Sequence, residues 1–238
     1  LRAPQPYKYR NKMEFSFGEG EDGSVEIGLH PAGQFGRIFD LQRCSLVGSQ
    51  VSEIVDAVRC FAEDAGLPVY DLKRHTGLLR FLTIREGTGT GELMVVVTTS
   101  GEPFEAAERL GRTLSDKFAG ITSVVHTVNR EKAQVAFGSE SHVLFGSGSI
   151  RERLGPFEYE VSPQSFFQPN VRQAERMFER VISLCELTGR ERVLDVYCGT
   201  GSISLYLSQH ADRVLGVEVS NEAIQDAVRN SARNQVEN

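Results

Sequence analysis

Residues 193–201 read VLDVYCGTG, and this stretch decides the fold. An apolar run that carries one acidic residue, Asp195, leads into two glycines, and a helical pattern follows over 202–209. A second apolar run covers 213–219, and a last helical pattern starts at Asn221. The order strand, glycine turn, helix, strand, helix is typical of the opening of a doubly wound parallel sheet.

The segment before this opening predicts a long amphipathic helix. Asn170 can cap its start, and Thr188 and Gly189 end it. Two strands with flanking helices cannot bury both faces of an open sheet. We therefore expect that the chain is a fragment and that the remaining parallel strands lie C-terminal to Asn238.

The first 160 residues follow a different, α+β pattern, in which helical and alternating apolar spacings are mixed. The predicted elements are hairpins at 12–30 and 79–99, helices at 51–66 and 103–118, and strands at 121–128 and 135–137. We therefore divide the chain into one domain over 1–160 and a second domain over 161–238.

Composition excludes several classes of protein. Of 238 residues, 40% are apolar and 24% are charged, which is a globular balance. No apolar run approaches the roughly 18 residues that a membrane span needs, and the N-terminal region has no secretory signal pattern. The four cysteines form no CxxC pair, so neither a zinc knuckle nor a disulfide framework is indicated. These features predict a cytoplasmic protein with no membrane partner.

The net charge is −6, so any nucleic-acid site must be a local basic patch. The densest such patch covers residues 1–12, which carry four positive charges and no negative ones, together with Tyr7 and Tyr9. The sequence gives no indication of an oligomeric state.

The glycine turn suits a ligand that approaches the backbone closely. A dinucleotide fingerprint would need glycine at position 204, where Ser204 stands, and this argues against NAD. Glu218 ends the second strand, where a carboxylate can accept both hydroxyls of a ribose. S-adenosylmethionine fits better than NAD, because it has a ribose but no pyrophosphate. The alternative is a tight turn that binds nothing, beside a solvent-facing glutamate.

Four separated stretches together resemble the RNA uracil-5 methyltransferase family. They are YRNKMEFSF at 9–17, the region 28–44, SPQSFFQPN at 162–170, and 194–201, and they occur in the family's order along the whole chain. The resemblance implies an α/β protein, with an α+β RNA-recognition domain followed by the first half of a Rossmann-like class I methyltransferase domain. It also implies an enzyme that transfers a methyl group from S-adenosylmethionine to C5 of uridine in tRNA or ribosomal RNA.

The resemblance assigns roles to individual residues. Relatives line the cofactor pocket with the residues that correspond here to Gln168, Tyr197 and Glu218. Gly199 and Gly201 are expected to bind the cofactor as the turn glycines that let it approach the backbone, and Ser202 follows the second of them. At the position of Ser202 many relatives have asparagine, so the role of this hydroxyl is open. In an RNA enzyme Arg10 and Lys12 become candidate phosphate contacts, and Asn11 becomes a contact to a base edge or to the backbone.

The reaction of the family that the sequence resembles also requires two catalytic residues. One is a nucleophilic cysteine that adds to C6 of the uracil, and the other is a glutamate that acts as general base. Both are expected beyond Asn238, so the chain as given should be inactive, and Cys198 is assigned a packing role. Cys44 corresponds to the last of four ligands that some relatives use for a [4Fe–4S] cluster, the alternative being a small buried thiol. Cys60 and Cys185 are expected in the core.

The sequence is also compatible with two other functions. One is a class I methyltransferase with a different acceptor, because the cofactor half does not identify the acceptor. The other is a non-catalytic RNA-binding module with a vestigial nucleoside pocket.

Overall fold

A computed structural model describes residues 2–34 and 36–238. The described residues form two compact units. The seven-stranded unit comprises Lys12–Glu86 and Glu92–Gly148, and the glycine-turn unit comprises Leu1–Asn11, Gly87–Gly91 and Ser149–Asn238.

The seven-stranded unit contains one mixed sheet with the strand order β3-β2-β1-β4-β5-β6-β7. Its elements are β1 (Lys12–Glu19), β2 (Val25–Leu29), β3 (Phe39–Asp40), α1 (Ser49–Asp64), β4 (Leu79–Glu86), β5 (Leu93–Thr99), α2 (Ala107–Lys117), β6 (Ile121–Val128) and β7 (Glu140–Gly146). All neighbouring pairs are antiparallel except β5 and β6. The two predicted hairpins and both predicted helices are therefore confirmed.

The core of this unit lies between the sheet and its two helices. Apolar residues at helical spacing on α1, such as Ile54 and Val58, pack against alternate residues of the strands, such as Phe15 and Ile27. Because the apolar stripe repeats about every 3.6 residues on a helix and every second residue on a strand, the sequence pattern sets which faces meet.

The predicted strand at 135–137 is wrong. This segment is irregular, because side chains bind its carbonyl groups: Asn129 Nδ2 donates to the carbonyl of Val135 at 2.7 Å, and Thr98 Oγ1 donates to that of Ala136 at 2.7 Å. The edge strand is β7 instead. Its side chains are mostly exposed, so it lacks the alternation that would have revealed it.

A buried histidine gives the seven-stranded unit a pH-dependent stability. His126 on β6 lies 2.8 Å from Thr99 Oγ1, against Phe104 and His142. Burial, and next the nearby His142, lower the pKa of His126 from 6.5 to about 4, against the opposing effect of Glu140. As the pH falls below 6.5, His126 therefore becomes protonated in the unfolded chain but stays neutral in the folded chain until the pH approaches 4.

We expect the free energy of unfolding to fall by up to about 3 kcal/mol between pH 6.5 and 4 on account of His126. Urea titrations across this pH range measure it. The His126→Gln variant keeps a polar partner for Thr99 but has no titratable group at this position. Its free energy of unfolding should therefore fall less between pH 6.5 and 4, by the amount attributed to His126. Equal slopes for the two proteins would refute the assignment.

The glycine-turn unit begins with an antiparallel pair, β8 (Ile150–Leu154) and β9 (Phe157–Val161), and continues with α3 (Val171–Cys185). Then follow β10 (Arg192–Val196), α4 (Ser202–Ser208), β11 (Arg213–Val217) and α5 (Asn221–Arg233). Asn170 caps α3 by accepting from Gln173 N at 3.0 Å. β10 and β11 are parallel neighbours, with Arg192 opposite Arg213, as the doubly wound pattern predicts.

One face of the β10–β11 pair is exposed within the described residues. It carries Leu194 and Val196 from β10 and Leu215 and Val217 from β11, each about half exposed. Among the described residues no helix combines the length and the apolar character that crossing a membrane requires.

The compact units divide the chain differently from the boundary expected at residue 160. Residues 149–160 group with the rest of the glycine-turn unit, because β8 and β9 pack against its helices. Asn230 on α5 and Asn234 at the C-terminal end of this helix bind the backbone of Glu160 and Glu158 on β9. Gly155 lies directly against the hydroxyl of Tyr206 on α4. None of these long-range contacts leaves a local pattern in the sequence.

Candidate functional site

The turn that joins β10 to α4 has an unusual backbone. Tyr197, Gly199 and Gly201 all have positive φ, of 68°, 56° and 77°. Glycine adopts this conformation without strain, whereas Tyr197 does so at a cost. A Cβ atom added at Gly199 would meet no other atom within 4 Å, so the backbone there borders open space.

The helix that follows the turn is tied to β10. Ser204 on α4 donates its hydroxyl hydrogen to the carboxylate of Asp195. The acidic residue inside the apolar strand is thus bonded by a side chain of the following helix. Ser204 stands where a dinucleotide fingerprint would need glycine, so this bond is part of what distinguishes the turn from an NAD site.

Glu218 lies beside the turn, directly after β11. Its Oε2 accepts from the backbone N–H of Gly199 at 3.1 Å, and its Oε1 accepts from those of Val219 and Ser220 at 2.7 and 2.9 Å. The bond from Ser220, with those from Val219 and Gly199, holds the pKa of Glu218 below its ordinary value. These bonds use three of about four lone-pair positions on the carboxylate. A ribose hydroxyl can take the remaining one, and a second would replace a backbone donor.

The residues next to the glycines differ in exposure. The side chain of Tyr197 is 81% exposed, so its ring and hydroxyl are available to a ligand. Cys198 is buried, with its sulfur against Gly216. Burial, and next the charges of Asp195 and Glu218, raise the pKa of the Cys198 thiol. Because a raised pKa disfavours the thiolate, Cys198 suits packing rather than nucleophilic attack.

The loop 162–170 carries Gln168, which is half-buried. Asn11 binds this loop: its backbone N–H donates to the carbonyl of Pro169 at 2.9 Å, and its Nδ2 donates to that of Gln168 at 3.0 Å. Asn11 therefore bonds the protein backbone of this loop, and its proposed contact to RNA stays a prediction. The two residues before Gln168 differ in exposure, since Phe167 is buried whereas the side chain of Phe166 is 66% exposed.

Tyr159 on β9 connects the loop with the turn. Its ring packs edge-on against that of Phe167, with centroids 5.3 Å apart, and its hydroxyl donates to the carbonyl of Ser202 at 3.0 Å. The structure thereby links the Gln168 loop to the start of α4. No sequence pattern marks Tyr159 as part of the site, because a tyrosine on a short alternating strand is typical of an ordinary core residue.

The remaining sequence-based candidates lie elsewhere. Lys12 pairs with Glu14 and lies 4.6 Å from the centroid of the Phe137 ring, so it already has partners within its own unit. Cys44 is half-buried, and its sulfur accepts from Leu46 N at 3.4 Å. The expectation that Cys60 and Cys185 are core residues is wrong, because both are exposed on helix surfaces.

These geometries define a class of protein. An open glycine turn and an acidic side chain meet at the carboxyl ends of two parallel strands, where α/β proteins bind nucleosides. The profile of the tRNA (uracil-5-)-methyltransferase family matches residues 92–238, which is more than half of the chain. This protein therefore belongs to that family, and the resemblance seen in the sequence is confirmed.

Individual relatives agree with this assignment. An uncharacterized RNA methyltransferase of Clostridium tetani (strain Massachusetts / E88) is 37% identical over all 238 residues, and one of Staphylococcus epidermidis is 35% identical over 98% of the chain. The chain spans about half, 51%, of the length of each.

A solved structure supports the α/β fold class. The Pyrococcus abyssi tRNA (uracil-54, C5)-methyltransferase, in complex with S-adenosyl-L-homocysteine, is 29% identical and superposes with a TM-score of 0.82. The match covers all of this chain and 55% of that one. The expected fold class is thus confirmed.

Proposed function

We propose that the full-length protein transfers a methyl group from S-adenosylmethionine to C5 of a uridine in RNA. The observation that carries the proposal is the open turn at Gly199 with Glu218 bonded to its backbone, in a chain of this family. RNA as the partner and the cytoplasm as the location belong to the same proposal.

The residues present fit the adenosine part of this cofactor. The turn leaves room at Gly199 that any side chain would fill, and Glu218 has acceptor capacity for a ribose hydroxyl. A buried hydroxyl within the turn, Thr200 Oγ1, has no hydrogen-bond partner among the described residues. Tyr197 offers a ring face, and the Gln168 amide can both donate and accept.

Each of these side chains has a separate task in the proposed reaction. When bound, the cofactor supplies a methyl group on a positively charged sulfur. Glu218 and the backbone at Gly199 hold the nucleoside, while Tyr197, Gln168 and the Ser202 hydroxyl are the candidates for orienting it. No described residue is assigned as nucleophile, since the thiol of Cys198 has a raised pKa.

For the acceptor we propose the route that the family resemblance implies. A thiolate adds to C6 of the uracil, C5 attacks the methyl group, and a base removes the C5 proton so that the thiolate can leave. The thiolate and the base would come from outside the described residues.

An iron–sulfur cluster at Cys44 does not fit the described residues alone. They contain no group of three or more histidine, cysteine or acidic side chains that could hold a metal ion. A cluster ligated by Cys44 would need three thiolates from outside them. No step of the proposed reaction depends on such a cluster.

Methyl transfer to RNA tests the proposal directly. The full-length protein, incubated with S-adenosylmethionine and unmodified tRNA or ribosomal RNA, should produce 5-methyluridine, as measured by mass spectrometry of the digested nucleosides. Gly199→Ala should lower the cofactor affinity about tenfold, because its methyl group occupies the space left for the ligand, and each tenfold is about 1.4 kcal/mol.

Gly189→Ala is the matched control. Gly189 lies in the same unit, has a φ of 87°, and also meets nothing within 4 Å of an added Cβ, so it brings similar backbone strain without touching the turn. Cofactor binding with methylation of another nucleotide would favour a different acceptor. RNA binding without cofactor binding would favour the non-catalytic module, and either result would refute the proposal.

A further inference from the structure

A polar stripe lies on the face of α5 that packs into the glycine-turn unit. It consists of Asp226 and Asn230 on α5 and of Asn234, which caps the C-terminal end of this helix; the three are four residues apart and therefore lie on one side. Asp226 is 1% exposed and Asn230 is fully buried. Core-facing helix positions are usually apolar, and buried polar groups persist where they make specific bonds. The bonds of these three residues therefore indicate their purpose.

Asp226 holds the start of the loop that carries Gln168. Its Oδ1 accepts from Ser162 Oγ at 2.9 Å, and its Oδ2 accepts from Ser165 Oγ. Arg229, one turn further along, donates to the same carboxylate. Since Asn11 binds the other end of the loop, the segment from Ser162 to Pro169 is fixed at both ends.

Asn230 holds the glycine turn. Its Nδ2 donates to the carbonyl of Thr200 at 3.1 Å, between the two turn glycines, while its Oδ1 accepts from the backbone N–H of Glu160 on β9 at 2.7 Å. One buried amide thus joins the turn to the strand that precedes the Gln168 loop.

Asn234 makes a similar pair of bonds without reaching the turn. Its Oδ1 accepts from the backbone N–H of Glu158 at 3.0 Å, and its Nδ2 donates to the carbonyl of the same residue at 2.7 Å. The two asparagines are therefore one helical turn apart, and they share a partner strand and a type of bond. They differ in that Asn230 alone contacts the turn.

We propose that Asp226 and Asn230 are positioning residues for the cofactor, Asp226 acting through the Gln168 loop and Asn230 through the glycine turn. This inference rests on the proposed function. Helix α5 starts three residues after Glu218, and its cap residue Ser220 donates its backbone N–H to the Glu218 carboxylate, so a single helix contacts all three parts of the site. Fixing them in advance lowers the entropy cost of ordering the site when the ligand binds.

The test compares S-adenosylmethionine and S-adenosylhomocysteine binding to full-length variants by calorimetry, beside thermal unfolding. Asp226→Ala and Asn230→Ala should each weaken binding about tenfold, the equivalent of one lost buried bond of about 1.4 kcal/mol. Asn234→Ala should lower the unfolding temperature to a similar degree but change the affinity less than about twofold, because it loses comparable bonds without releasing the turn.

Two further measurements separate positioning from general stability. Asp226→Asn should regain most of the affinity, because an amide can still bond both serine hydroxyls. In methyl-transfer kinetics, Asp226→Ala and Asn230→Ala should raise KM for S-adenosylmethionine while KM for RNA stays unchanged. Should Asp226→Ala fail to fold, Ser165→Ala removes the same bond from the loop side and should give the same loss of affinity.

Wild-type affinity in both Ser165→Ala and Asn230→Ala would overturn the inference and leave the proposed function intact. An equal loss of affinity in Asn230→Ala and Asn234→Ala would also overturn it, because the effect would then be loss of stability. If the wild-type protein binds neither compound, the proposed function fails first, and this inference fails with it.

Discussion

Replacing Glu218 by alanine is expected to lower the affinity for S-adenosylmethionine about 100-fold. The carboxylate is ionised at neutral pH, since backbone hydrogen bonds from Ser220, Val219 and Gly199 hold its pKa below the ordinary value. A charged acceptor makes stronger hydrogen bonds than a neutral one, and a single such bond to a ribose hydroxyl contributes up to about 3 kcal/mol, which accounts for a loss of this size. Calorimetry on the full-length protein measures it.

Two variants control for other effects of this change. Glu222→Ala removes an exposed carboxylate from the first turn of the same helix and should leave the affinity unchanged. Glu218→Gln keeps one neutral acceptor and should lose about tenfold. If Glu218→Ala binds the cofactor like the wild-type protein, Glu218 does not contact the ribose, and the assignment of the site to this turn is wrong.

Replacing Tyr159 by alanine is expected to destabilise the glycine-turn unit by about 4 kcal/mol. Tyr159 is fully buried, and its ring packs against those of Phe157 and Phe167 with centroids 6.4 and 5.3 Å apart. Its removal leaves a cavity and deprives the carbonyl of Ser202 of its donor. Because these contacts join the Gln168 loop to α4, cofactor binding should be lost together with stability. Urea denaturation and calorimetry measure the two effects.

Tyr159→Phe separates the ring from the hydroxyl. Burial, and next Tyr206, raise the pKa of Tyr159, so the hydroxyl stays protonated and remains a donor over the physiological pH range. Removing it should cost only about 1 kcal/mol, the usual contribution of one hydrogen bond. A loss as large as that of the alanine variant would mean that the hydroxyl, rather than packing, carries the stability.

Local patterns predicted the part of the fold that depends on near neighbours in the sequence. The apolar run before Gly199 and Gly201, the helix after it and the acid at Glu218 were all expected, and the parallel pairing of β10 with β11 confirmed their arrangement. Strand β7 was missed because most of its side chains are exposed, so no alternation marks it.

The sequence by itself determined the strand–turn–helix unit. It also predicted a candidate set of cofactor contacts, from the glycine turn and the family motifs: Gln168, Tyr197, Gly199, Gly201, Ser202 and Glu218. Such features follow from periodicity and from backbone conformations that glycine adopts without strain, which neighbouring residues suffice to specify. Only the tertiary structure decided what holds that set in place. Asp226 meets Ser162 across 64 positions, and Asn11 meets Gln168 across 157. Polar bonds over such separations depend on which surfaces the folded chain brings together, and no spacing along the chain encodes them.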